Sequence, residues 1–112
     1  MRKKLYNGYK TKHQRVCRYC GAHYAERHEV FGGSNRQISI ANHFQVDVCR
    51  EHHRMLQDNI EDWAKRENLR LRQYFERKWL DERIEEGMTE AEAVGGWMHL
   101  IGKNYLDDIM PE

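Results

Sequence analysis

Phe44, Val46 and Val48 alternate with Gln45 and Asp47 in the run Phe44-Gln-Val-Asp-Val-Cys49, the period-two pattern of a half-buried strand. Upstream, Glu26-Arg-His-Glu-Val-Phe is a second strand candidate, and Gly32-Gly33-Ser34-Asn35 follows it as a turn. Two short strands around a Gly-Gly loop predict a hairpin-like pair. From Glu51 to about Glu86 no glycine or proline interrupts the chain, good helix formers dominate, and Ile60, Trp63, Ala64, Leu71, Tyr74, Phe75, Trp79 and Ile84 recur as an apolar stripe. A break near Asn68 is expected, giving two helices or one bent one. Gly87 ends this stretch, and Thr89 with Glu92 predicts a capping box for a last helix carrying Val94, Trp97, Met98, Ile101 and Tyr105 at helical spacing, weakened by Gly95-Gly96. The aromatic residues of these helices read as core. The pattern as a whole is α+β.

At 112 residues the chain has room for one compact domain and not for a two-lobed enzyme. No apolar run approaches the roughly 20 residues of a membrane span, so a soluble protein without a membrane partner is expected. Met1-Arg-Lys-Lys resembles the start of a signal peptide, yet Leu5-Tyr-Asn-Gly-Tyr-Lys supplies no apolar segment behind it. A cytoplasmic address follows as the expectation.

The net charge of +1 conceals an asymmetry. Residues 1–25 carry Arg2, Lys3, Lys4, Lys10, Lys12, Arg15 and Arg18 and no acid, whereas residues 81–112 hold nine acids against Arg83 and Lys103. A basic arm interleaved with Tyr6, Tyr9 and Tyr19 suits phosphate contacts and base stacking. A solvated terminus explains the same arm equally well.

Three cysteines cannot all pair, and a reducing cytosol disfavours disulfides, which turns attention to metal. Cys17-x-x-Cys20 and Cys49-x-x-His52 are two ligand pairs with 28 residues between them, and they use every thiol in the chain. Such pairs close a Cys3His site around one structural Zn²⁺ and leave no coordination position for water. His53, next along a helix, points about 100° away from His52 and is left for another role. A hairpin packed on the helix start would bring His28 and Glu29 near it, and a histidine, a carboxylate and a second histidine can hold one divalent ion and still supply a base.

Four segments together, Cys17-x-x-Cys20, Glu26-Arg-His28-Glu29-Val-Phe-Gly-Gly, Asn42-His43-Phe44 and Val48-Cys49-Arg-Glu-His52-His53-Arg, resemble the HNH nucleases of the ββα-metal superfamily, above all small phage-encoded HNH-like proteins. Their chains also close with a segment similar to Ile101-Gly102-Lys103-Asn104-Tyr105-Leu106. The resemblance implies a small zinc-stabilised ββα-metal core with additional C-terminal helices in a single domain, 1–112. Within it, 1–25 is a basic arm with the first zinc knuckle, 26–57 the ββα-metal core and 58–112 a helical extension.

The implied activity is that of a metal-dependent DNA endonuclease or nickase working in a phage or bacterial host cytosol, with catalytic Mg²⁺ or Mn²⁺. His53 matches the last family histidine, a ligand of the catalytic ion. His28 is taken as the general base and Glu29 as the second ion ligand, although strict register exchanges the two. The family asparagine that ties down the loop and orients the base falls on Asn42, with His43 at the position directly before Phe44. These departures motivate a second reading, a nucleic-acid-binding module without chemistry. The acidic helical half motivates a third, a protein-interaction domain with a partner protein or a homodimer seam on its C-terminal helices. No groove-reading helix separates from the core helices, so sequence specificity has no visible carrier.

Overall fold

A computed structural model describes residues 12–109, so Arg2, Lys3, Lys4 and Lys10 of the basic arm, with Tyr6 and Tyr9, lie outside the described residues. The architecture is α+β, a two-stranded sheet with four α-helices among those residues. Strands β1 (Glu26–Glu29) and β2 (Gln45–Val48) pair antiparallel, with Glu26 opposite Val48, His28 opposite Val46 and Glu29 opposite Gln45.

The connection between the strands is more than a turn, because helix α1 (Arg36–Asn42) lies within it. Its two isoleucines and its serine, each modest in helix propensity, hide it from a reading by pattern. A tertiary contact fixes it: the buried Ser39 hydroxyl donates to the Phe31 carbonyl at 2.7 Å and accepts from the Phe31 N–H at 3.0 Å. All four β2 residues are buried, where alternation predicts one solvated face. The N-terminal segment also meets the edge of β2, where the Arg18 N–H donates to the Asp47 carbonyl at 3.0 Å.

Helix α2 (Arg50–Asp58) ends at Asn59, whose left-handed φ of +54° reverses the chain, and α3 (Asp62–Glu85) then runs 24 residues without interruption. The break therefore sits nine residues before Asn68. Asparagine tolerates the left-handed conformation that closes a helix. Asn68 is 2% exposed within α3 and donates to the Leu56 carbonyl and to Asn59 Oδ1, both at 2.9 Å, so it secures the end of α2.

Helix α4 (Glu90–Leu100) opens on the expected capping box, with Thr89 Oγ1 accepting from the Glu92 N–H and Glu92 Oε1 from the Thr89 N–H. It stops before Tyr105 because Gly102, at φ +94°, turns the chain back. Tyr105–Asp107 then forms a short 3-10 turn against α3, where the buried Glu76 carboxylate accepts from the Tyr105 N–H at 2.7 Å. Phe31, Phe44, Phe75 and Trp97 meet edge-on or tilted at 5.4–5.7 Å and join the sheet to α3 and α4 in one core. Among the described residues no helix is long and apolar enough to cross a membrane.

Candidate metal centre and cleft

The first ligand pair sits on a tight turn held by its own backbone: the Gly21 N–H donates to the Cys17 carbonyl at 2.8 Å, and the Tyr19 N–H points at Cys17 Sγ at 3.4 Å. Gly21, at φ +76°, allows the chain to turn back within two residues of Cys20. The second pair is built by a helix start. Cys49 is the N-cap of α2 and receives the His52 N–H on its sulfur at 3.5 Å, and the first turn of that helix swings the His52 ring beside it.

Cys17 Sγ lies 3.6 Å and Cys49 Sγ 3.1 Å from His52 Nδ1, and Cys20 Sγ lies 3.8 Å from Cys49 Sγ. All four ligand atoms fall within 4.8 Å of one another. A tetrahedron with metal–sulfur bonds of about 2.3 Å and a metal–nitrogen bond of about 2.0 Å has edges of roughly 3.5–3.8 Å, so the donors already stand close to its corners. The cluster can hold one metal ion such as zinc.

Burial opposes ionisation of Cys17, but the backbone N–H groups of Cys49, Tyr19 and Cys20 outweigh it and bring the thiol down to about 6. A ligand that is already a thiolate near neutral pH suits a metal site. The cluster is also tied to the helical half of the chain. Tyr19 and Trp63 pack on the His52 ring, and the Tyr19 hydroxyl donates to Glu67 Oε2 at 2.6 Å while Arg70 grips the same carboxylate with two bonds of 3.0 Å. Burial and the hydrogen bond to the Glu67 carboxylate raise the Tyr19 pKa, which keeps the phenol a donor.

A cleft of about 470 Å³ opens on the other side of α2, lined among others by His28, Glu29, His53, Asn68 and Arg72. The His28 and His53 rings meet edge-on with centroids 5.3 Å apart. His28 is 6% exposed, and its Nε2 is buried without a hydrogen-bond partner. Burial first, then the charges of His53 and Arg72, lower its pKa to about 4, so the ring is neutral at pH 7 and keeps a lone pair.

The carboxylate in contact with His53 is Glu26, whose Oε1 lies 2.9 Å from His53 Nδ1. Glu29 lines the same cleft but accepts from Arg36 Nε at 3.1 Å and from Gln45 Nε2 at 3.2 Å. Strand parity was the available signal: residues two apart on a strand share a face, which sets Glu26 and not Glu29 beside His28. Among the described residues the cysteine cluster is the one place where three or more histidine, cysteine or carboxylate ligand atoms converge, and the cleft gathers no such set.

Asn42 donates to the Ile38 carbonyl of its own helix, and His43 caps α1 in the left-handed region; neither lines the cleft. Asn59, Asn68 and Arg72, which do line it, come from the segment read from sequence as an extension, and no local pattern marks them. Compared with known proteins, the chain matches no family model, no curated protein and no solved structure.

Proposed function

We propose that the chain is a metal-dependent DNA endonuclease or nickase of the HNH kind, built around a structural zinc held by Cys17, Cys20, Cys49 and His52. One observation carries the reading. Consecutive residues of α2 serve two sites, His52 in the cysteine cluster and His53 across from the neutral His28 ring in a polar cleft. Fixing the first turn of α2 with a metal therefore also fixes His53.

In this reading His28 is the general base: its neutral ring accepts a proton from water as the water oxygen attacks a backbone phosphorus in line. The phosphorus–O3′ bond breaks and its electron pair leaves on the 3′ oxygen, so the products carry 5′-phosphate and 3′-hydroxyl ends. Arg72, on the same cleft wall, offers a guanidinium to the phosphate oxygens. Glu26 accepts the Nδ1 proton of His53 and so turns the other ring nitrogen, Nε2, outward as a lone-pair donor. A bound Mg²⁺ or Mn²⁺ would take His53 and Glu29 as its protein ligands, complete its sphere with water and phosphate, and stabilise the charge developing on the phosphate.

The test is nicking of supercoiled plasmid by the full chain with Mg²⁺ or Mn²⁺. Cleavage is expected, lost by at least about 100-fold in His28→Ala and in His53→Ala with zinc content unchanged. Supercoiled plasmid left intact by pure protein under both ions would remove the nuclease reading. The second reading, a DNA-binding module without chemistry, is favoured by the position of Asn42 outside the cleft and by the absence, among the described residues, of a converging ligand set there. Under it, binding weakens steeply with salt and no cut appears.

A further inference from the structure

The basic N-terminal stretch offers Tyr19 for base stacking, but the structure commits that ring elsewhere: it packs on His52 and Trp63, and its hydroxyl is held by Glu67. Tyr24 is the ring left facing outward, 57% exposed. Its backbone stands at φ +60°, a left-handed conformation that strains a bulky residue and suits glycine. That conformation is held from both sides. The Cys17 N–H donates to the Ala22 carbonyl at 2.9 Å, Val16 bridges His23, and the Ala25 N–H donates to the Arg15 carbonyl at 3.3 Å, so the two arms of the first ligand turn are tied together on either side of Tyr24.

The rings of His13 and His23 stand at 81° and 59° to that of Tyr24, with centroids 5.3 and 6.4 Å away. Neither lies parallel to it, so among the described residues no ring is stacked flat on its face. The surroundings are cationic: residues 1–25 contain lysines and arginines and no acid. The next carboxylate along the chain, Glu26, is bonded to His53, and Asp47 on β2 is buried.

We propose that Tyr24 is a stacking platform for an unpaired base, and that the partner of this surface is a single-stranded stretch of DNA whose phosphates meet the surrounding lysines and arginines. In a duplex each base face is covered by the neighbouring base pair, so the ring finds its partner where the strand is unpaired. Tyr24 precedes Glu26 by two residues, which keeps their Cα atoms within about 7 Å of each other, and Glu26 is the carboxylate that holds His53. A base on the ring therefore sits where the chain enters β1 and the cleft. The inference rests on the nuclease reading for DNA as the partner, and it narrows the substrate to DNA with unpaired bases beside the cut.

Fluorescence anisotropy of the full-length, zinc-loaded chain tests it, with a labelled mixed-sequence DNA strand, alone or paired with its complement, and no added magnesium or manganese. The wild type should bind the single strand more tightly than the duplex. Tyr24→Ala and Tyr24→Gly should weaken single-strand binding about 5–100-fold and leave duplex binding nearly unchanged, while Tyr24→Phe keeps the wild-type affinity. The glycine variant separates the ring from the fold: φ +60° suits glycine, so the variant should remain folded with its zinc content unchanged. Wild-type strand affinity in a variant without the ring, an equal loss on strand and duplex, or a wild type that prefers the duplex or binds neither would overturn the proposal. Ring-dependent strand binding by a chain that nicks no plasmid would support the platform while removing the nuclease reading; nicking by a chain whose strand binding is indifferent to Tyr24 would remove the platform alone.

Discussion

Glu76 shows how a single buried group makes a pH-dependent demand on this fold. Its side chain is wholly enclosed under the Tyr105 turn, where one oxygen accepts from the Tyr105 N–H and the other is buried without a partner. Burial holds its carboxyl above the usual carboxylate range. The folded state therefore binds the proton more tightly than the unfolded state does, and stability falls as pH rises from the unfolded pKa through the folded one. Glu76→Gln abolishes that titration while keeping the acceptor for Tyr105. Urea denaturation should show the variant gaining on the wild type as pH rises above the unfolded carboxyl value of about 4.3, and parallel curves would refute the burial argument. At this scale the sequence was most legible where chemistry and spacing coincide, as for the four cluster ligands. It was least legible where a role depends on a neighbour far along the chain: Glu26 is identified by its distance to His53, and Asn68 by the cleft it reaches.

Elements follow the same division. The capping box of α4 is written in two residues three apart, and it forms as read. Helix α1 and the turn at Asn59 depend on single hydrogen bonds with Phe31 and Asn68, eight and nine residues away, which the hydrophobic pattern does not register. The paired glycines of α4 separate the two kinds of constraint within a single helix. A Cβ at Gly95 meets nothing within 4 Å, whereas one at Gly96 would stand 3.1 Å from Trp79 Cη2 on α3. Gly95→Ala should accordingly stabilise the chain by about 0.5–1 kcal/mol through helix propensity alone. Gly96→Val should destabilise it by about 1–3 kcal/mol by forcing α4 off α3. Thermal melts of the two variants check this, and a shift of both in one direction would show that the close approach of the helices does not matter.

For the molecule as a whole, two strands of four residues are too little sheet to stand alone. Three things hold the sheet: the aromatic core against α3 and α4, the N-terminal segment bonded to the edge of β2, and the cysteine cluster that joins that segment to the start of α2. The cluster closes a loop between residues 17 and 52, and through Tyr19, Glu67 and Arg70 its position is passed to α3, which also carries Asn68 and Arg72. Metal bound there would contribute its binding free energy to folding, because the unfolded chain has no preformed site. The α+β class and the ligand set were both legible because short-range patterns encode them. The dependence of the cleft on α3 was not, since it arises from packing between segments forty residues apart. Native mass spectrometry of the purified full-length chain, read for metal mass per polypeptide, tests the central claim most directly. One zinc per chain, lost on Cys49→Ser, is the result predicted; a compactly folded chain that carries no metal after exposure to zinc would contradict it.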